Sequence, residues 1–450
     1  MASLFDEDAM GRLRLPPVRH LTSTGLLLAL VAVPRIAHAQ DADPRPAKPD
    51  TTLRVPNTEA GEFTPGAGFN IIKSKRGTLN VSTYGLFRYI NQMPSGQTFV
   101  DHLGQVRPVN PRNDLNWHRT MIWLTGWFHD PRFRYNITSW SLPTTQQTLI
   151  FGNLQYVASN SFVFGVGIAP SLTIRSLQGS WPYWAGSDRL MAEEFFRGGF
   201  SSGIWMTGNL AYRLDYNVSI TNNISQLGVT QANDTRDLFY SGSLRWQPTT
   251  GEFGARNGFG DFEYHTRAAT QFGVSMGQGR TNRGAPLDQA PNQTQIKLSD
   301  SLNPFELGAL APGVTVINLN YQELAADAGV KYRGFAFQTE YFFRTLMHFQ
   351  ATGPLPLTTI YDNGFMAEAS YMVLRRKLMV YTVGGYVFDD FRRFPWEAGG
   401  GLNYYPSDTR SWRLNLHLLH VNKSPVQSFF SYYNGGLTGT LFSLGIDILL

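Results

Sequence analysis

The chain has 450 residues, with 38 Lys and Arg against 33 Asp and Glu, and no cysteine. Charged residues make up 16% and aromatics 14%, whereas soluble domains carry about 25% charge. These figures exclude a disulfide-built fold and give no sign of the clustered basic stripe of a nucleic-acid binder.

The N-terminus reads as an export signal. Arg12, Arg14 and Arg19 are followed by an apolar stretch, Gly25 to Val33, and then by Ala37-His38-Ala39, a small-x-small cleavage site. Residues 1–39 are therefore expected to be a signal peptide, with Gln40 the mature start; Met10 is an alternative initiator to Met1. The apolar stretch is shorter than the about 20 residues a helical span needs, and no later run approaches 18. Residues 40–77 follow as a polar tether, its first part rich in Pro, Asp, Lys and Ala, with too little apolar surface for a core.

From Thr78 the pattern has a period of two. Leu214, Tyr216, Val218 and Ile220 alternate with Asp215, Asn217, Ser219 and Thr221. Phe133, Tyr135 and Ile137 alternate with Arg134, Asn136 and Thr138, and similar runs lie at Leu238–Gln247 and Glu323–Arg333. Successive strand side chains point to opposite faces, so one face is apolar and the other wet. A soluble β-sandwich shows the same alternation. Strands of about ten residues, aromatics near their ends and alternating short and long connections point instead to a membrane barrel.

Short turns are expected at His129–Pro131, Ala158–Ser161, Ala211–Arg213, Arg333–Gly334, Arg375–Lys377 and Pro406–Arg410. Longer connections are expected near 92–113, 170–203, 223–236, 278–322, 347–362 and 423–436. The fold class is all-β: a transmembrane antiparallel β-barrel over residues 78–450, with about 16 strands and both termini on one side. Fourteen and eighteen strands are the alternatives, because 248–266 is long where a short turn is due and 389–395 is short where a long loop is due. The last strand alternates strictly, Phe442, Leu444, Ile446, Ile448 and Leu450 against Ser443, Gly445, Asp447 and Leu449. A terminal strand of this kind resembles the recognition signal of outer-membrane barrels, with Leu450 where an aromatic is usual.

Several ordered segments resemble the phosphate-selective porin O and P family, over roughly Leu79 to Leu450. They are Tyr84-Gly85-Leu86-Phe87-Arg88-Tyr89; Gly126-Trp127-Phe128 leading into Asp130-Pro131-Arg132-Phe133; Asp188-Arg189 with Glu193-Glu194-Phe195-Phe196-Arg197; Gly203-Ile204-Trp205; and Asp327-Ala328-Gly329-Val330-Lys331-Tyr332-Arg333-Gly334. The resemblance implies a sixteen-stranded trimeric channel with an inward-folded third loop. Phosphate-specific members carry lysines at the constriction; the third loop expected here has none.

Ser171–Ser202 is the candidate constriction loop, holding Arg175, Asp188, Arg189, Glu193, Glu194 and Arg197 beside Trp181, Tyr183 and Trp184. Charged groups at a narrow pore set selectivity. Strand parity places Arg88, Arg134, Arg245, Lys331, Arg344 and Arg413 on the lumen face, with Glu340 on the parity of Arg344 as its partner. Catalytic signals are weak. Gly199-Phe200-Ser201-Ser202-Gly203 matches a nucleophile elbow but lacks the strand–turn–helix setting. The nine histidines show no metal-ligand spacing, and His417 and His420 fall on opposite faces of a strand. The expected function is an outer-membrane porin, not an enzyme. It passes small hydrophilic solutes, with a weak preference for anions such as phosphate, as a homotrimer in outer-membrane lipid, with no cofactor and no nucleic-acid partner. A barrel enzyme and an adhesin are the alternatives.

Overall fold

The computed structural model describes residues 68–450 apart from 143–146, 171, 178–183, 223, 225–236, 255–257, 292–293 and 429–430. The signal peptide and the first part of the tether lie outside the described residues. The strands are β1 (Phe69–Ser74), β2 (Gly77–Met93), β3 (Gln97–Val100), β4 (Val106–Val109), β5 (Asn113–Phe128), β6 (Asp130–Leu142), β7 (Gln147–Ser159), β8 (Phe162–Pro170), β9 (Phe200–Ala211) and β10 (Leu214–Asn222). They continue as β11 (Leu238–Trp246), β12 (Ala269–Asn282), β13 (Val316–Tyr332), β14 (Phe335–Ala351), β15 (Thr359–Leu374), β16 (Leu378–Asp389), β17 (Trp396–Tyr404), β18 (Trp412–Asn422) and β19 (Gly439–Leu449). A short helix, α1 (Met191–Phe196), lies between β8 and β9.

Sixteen of these strands, β2 and β5 to β19, pair antiparallel with their neighbours in chain order. The ring closes where β19 pairs with β2, Leu449 opposite Tyr84 and Thr440 opposite Met93. A closed ring leaves no edge, so every strand satisfies its backbone groups within the sheet. Three strands stand outside the ring: β3 and β4 form a hairpin in the first long loop, and β1 precedes β2. The segment β1, within the stretch read as tether, also departs from expectation. It pairs with the start of β2, Phe69 opposite Val81, because β19 ends at Leu449 and leaves that part of β2 free to accept a partner.

The alternation read from the sequence decides which face is which. Tyr84, Leu86, Arg88 and Ile90 of β2 are buried and face the lumen. On β14, Tyr341 and Phe343 are exposed while Glu340, Phe342 and Arg344 are buried. Leu444, Ile446 and Ile448 are exposed on β19, with Ser443 and Asp447 buried. The outer wall is therefore a continuous apolar surface of Phe, Tyr, Leu, Ile and Val, the property that suits lipid rather than water. Arg333 and Gly334 close the β13–β14 hairpin with φ of 49° and 86°. Two consecutive positive φ values match the strand twist, and glycine meets the second without steric cost.

Candidate pore and constriction

The connection between β8 and β9 does not stand out from the rim; it folds into the barrel. Ile174, Leu177, Ala185, Met191, Ala192 and Phe196 are fully buried. They join one apolar cluster with wall residues Leu86, Trp123, Phe342, Met366 and Val383. Phe196 stacks on Phe342 at 5.1 Å. The helix start is set by Glu193, whose Oε2 accepts the Leu190 N–H at 3.1 Å. Burial pushes the Glu193 carboxyl above its ordinary value, since a charge is poorly solvated there.

All six expected constriction residues of this loop are buried, and each one is engaged. Asp188 accepts from Arg88 and, at 2.6 Å, from Arg119. Arg189 donates to Ser176 Oγ at 2.8 Å and lies over the Trp184 ring at 4.6 Å. Arg197 pairs with Glu194 at 2.7 Å. The Arg175 backbone N–H donates to Glu340 Oε1 at 2.8 Å, its guanidinium to Gln338, and its Nε lies 3.8 Å from Asp327. The loop's charges thus fasten it to itself and to the wall. Trp181 and Tyr183 lie outside the described residues.

Of the bases expected in the lumen, Arg88, Lys331, Arg344 and Arg413 are buried and Arg134 and Arg245 are half-buried. Arg344 and Arg413 hold the loop's backbone as well as a carboxylate each. Arg344 pairs with Asp362 at 2.6 Å and donates to Phe195 O at 3.1 Å. Arg413 donates to Asp447 and, at 2.6 Å, to Trp184 O. Arg245 pairs with Asp215 at 3.2 Å. Lys331 donates to Phe253 O at 2.8 Å. The expected Arg344–Glu340 pair is not formed: four strand residues separate them by about 13 Å along the wall, and Asp362 stands directly opposite Arg344 on β15. Arg134 forms no ion pair among the described residues, and its Nε has no hydrogen-bond partner.

Two further segments enter the lumen, and the sequence reading did not single them out. From the loop after β18, Tyr432 and Tyr433 are fully buried; Tyr432 lies under Arg88 at 5.1 Å, and Tyr433 donates to Glu397 Oε2 at 2.7 Å. From the opposite rim, the long connection 247–268 tucks inward. Phe253, Phe259 and Phe262 are buried, and Arg175 of the constriction loop sits 4.7 Å over the Phe259 ring. Its length where a short turn was due is the signal that marks it. These segments pack on β13 to β19, β2 and β5. The lumen face of β6 to β11 is more polar: Asn136, Thr138, Asn153, Gln155, Asn217, Ser219 and Ser243 line it with Arg134 and Arg245, beside buried Trp140, Leu142, Trp205 and Phe239.

The inward flap 247–268 is tied by His265, whose two ring nitrogens contact Asp261 and Glu252. Asp261 also accepts the Gly334 N–H at 2.7 Å. Hydrogen bonds to Asp261 and Glu252 raise the His265 pKa to about 9. Asp261, Glu263 and His265 bring one ligand atom each within 4.8 Å of one another, a donor set able to hold a metal ion, although the histidine nitrogens are engaged by carboxylates. A folded-state pKa above the unfolded value of about 6.5 stabilises at low pH. The tie is fully present below about pH 6.5 and is lost as pH rises through about 9. The unfolding temperature should therefore fall more between pH 7 and pH 10 in the wild type than in His265→Gln. Parallel pH profiles for the two proteins would show that this cluster does not hold the flap.

No family model and no curated protein matches the chain. Among solved structures it is similar to the trimer form of in-vitro-folded OmpT, an outer membrane protein of Vibrio cholerae. The identity is 11% over 84% of this chain and 100% of that one, with a TM-score of 0.50. The anion-selective porin from Comamonas acidovorans is similar at 11% identity, over 83% and 100%, with a TM-score of 0.49. The likeness to the first is one of fold. With its closed sixteen-strand ring, apolar outer wall and inward-folded loop, the chain is an outer-membrane β-barrel of porin architecture. Its place is the bacterial outer membrane, where closed barrels satisfy their backbone without water.

Proposed function

We propose that the chain is a passive diffusion channel for small hydrophilic solutes, with a weak preference for anions. The observation that carries this reading is the division of the lumen. Loops fill one side with packed apolar and ion-paired groups, while the arc from β6 to β11, apart from Trp140, Leu142, Trp205 and Phe239, presents amides, hydroxyls and two guanidinium groups. Buried polar atoms need hydrogen-bond partners; Asn136 Nδ2, Asn153 Nδ2, Gln155 Oε1 and Asn217 Oδ1 have none among the described residues. Such a surface suits a hydrated path.

The charge preference rests on Arg134 and Arg245: Asp215 pairs with Arg245 and, among the described residues, no carboxylate pairs with Arg134. The paired Arg175, Arg189 and Arg197 shape the constriction more than they charge it. Strict phosphate selectivity is not part of this reading, because the lumen lysine Lys331 donates to the backbone carbonyl groups of Phe253 and Gly258. The apolar outer wall is suited to association, and we propose a homotrimer with the short-turn rim in the periplasm.

Reversal potentials in asymmetric KCl test the reading. The wild type should favour chloride modestly, and the preference should shrink as salt rises, since screening lengths fall below about 10 Å above 0.1 M. Arg134→Gln with Arg245→Gln should bring the permeability ratio close to one. Absence of channels would reject the function. Cation preference in the wild type, or an unchanged ratio in the double variant, would reject the assignment of charge.

A further inference from the structure

The two rims of the barrel carry different charge. On the short-turn rim, counting β1 and the turns, nine Lys and Arg residues are exposed against one exposed acid, Asp408. At the long-loop rim, the exposed charges among the described residues balance: Arg280, Arg392 and Lys423 against Asp288, Glu306 and Asp390. The basic residues of the first rim include Arg76, Arg132, Arg333, Arg375, Arg376 and Lys377, drawn from four connections around the ring. Their proximity is not neutralised locally. Arg132 pairs with Asp130 and Lys377 lies 3.7 Å from Asp408, but Arg76, Arg333 and Arg376 form no ion pair among the described residues.

Their second property is position. Arg333 lies over the Tyr332 ring at 5.1 Å, Arg132 over Tyr156 at 5.8 Å, and Arg375 over Tyr264 at 5.0 Å. Just above them, the outward face carries exposed Phe128, Phe133, Tyr332, Phe335, Tyr371 and Trp412. Aromatic belts mark the level where acyl chains give way to headgroups. A ring of guanidinium and ammonium groups at that level is set at the height of lipid phosphates. Arginine there can bind a phosphate through two parallel hydrogen bonds, and basic clusters beside a membrane attract anionic lipid.

We propose that the short-turn rim binds the headgroups of anionic phospholipids in the leaflet it meets. Partner and geometry agree: the occupant must be apolar where the aromatic belt lies and negative immediately beyond it. A soluble acidic partner accounts for the charge but makes no use of the belt.

The test uses the full folded chain in phosphatidylcholine nanodiscs carrying spin-labelled phosphatidylglycerol or spin-labelled phosphatidylcholine. The wild type should enrich the glycerol lipid at its surface by at least about threefold at low salt, and 1 M KCl should abolish the enrichment. The variant Arg333→Gln, Arg375→Gln, Arg376→Gln and Lys377→Gln should lose most of it. The opposite-rim variant Arg392→Gln with Lys423→Gln should keep it. Should the fourfold variant not fold, the salt response of the wild type decides. Competition by millimolar inorganic phosphate would show that the rim takes free phosphate in place of lipid. Equal enrichment of both labelled lipids, or loss only when soluble polyglutamate is added, would overturn the proposal. Conductance is recorded separately, so failure here leaves the channel reading untouched.

Discussion

Replacing Asp188 by alanine is expected to lower stability by about 3–5 kcal/mol and to raise single-channel conductance. Asp188 is the carboxylate between two buried guanidinium groups, Arg88 on β2 and Arg119 on β5. Removing it takes the shared carboxylate from both guanidinium groups, and the cost of breaking a buried ion pair sets the magnitude. The change in conductance follows from where Asp188 sits. It is the point at which the inward loop is fastened to that side of the barrel, next to Ser187, whose N–H donates to Tyr432 Oη at 2.6 Å. A loop released there swings away from the lumen centre. Thermal unfolding in detergent and planar-bilayer recordings measure the two effects together. An unfolding temperature within a degree of the wild type, with unchanged conductance, would show that the loop is held elsewhere.

A second large effect is expected on the outer wall. Leu444 lies midway along β19 and is 47% exposed, flanked by buried Ser443 on the lumen side. Leu444→Arg places a charge at the middle of the apolar face, which costs about 2–4 kcal/mol in a membrane barrel. Urea unfolding from lipid vesicles should show the loss. Leu444→Phe, which keeps the face apolar, should change stability little. If arginine at this position were tolerated as well as phenylalanine, β19 would not face hydrocarbon.

Much of this architecture is legible in the residues because a barrel wall obeys a local rule. The alternation at Leu214–Thr221 and Phe442–Leu450 and the turns at Arg333–Gly334 and Ala211–Arg213 all fall where the pattern places them. The lumen assignment of Arg88, Arg134, Arg245, Lys331, Arg344 and Arg413 follows from the same period. What the rule cannot carry is anything settled across the lumen. The Arg344–Asp362 pair depends on the register between β14 and β15, and the Asp188 clasp on where a loop lands. The pattern is also weakest where both faces are apolar. On β2, Tyr84, Leu86 and Ile90 face inward because the loops pack on them, so aromatic and aliphatic side chains lose their value as markers of lipid. Tyr432 and Tyr433 were invisible for the same reason: a loop residue that packs inside a barrel has no periodicity to betray it. The flap 247–268 was detectable only as an anomaly of length.

The seam between β19 and β2 has a consequence for the order of assembly. Every other neighbouring pair in the ring joins strands consecutive in the chain, save β2 and β5, which the β3–β4 hairpin separates. The seam joins the two ends of the barrel, with the Thr83 N–H donating to Leu450 O at 3.1 Å and the Leu450 N–H to Thr83 O at 2.9 Å. Contacts between distant residues form slowly, because the chain between them must first be ordered. The hairpins can form early, but the seam can close only after β19 has crossed into the compartment where the barrel folds. Until then β2 and the growing last hairpin each expose an unpaired edge, the most aggregation-prone surface a sheet can offer. A chain cut before β19 would therefore keep the other fifteen strands of the wall and still remain a client of the chaperones that guard open edges.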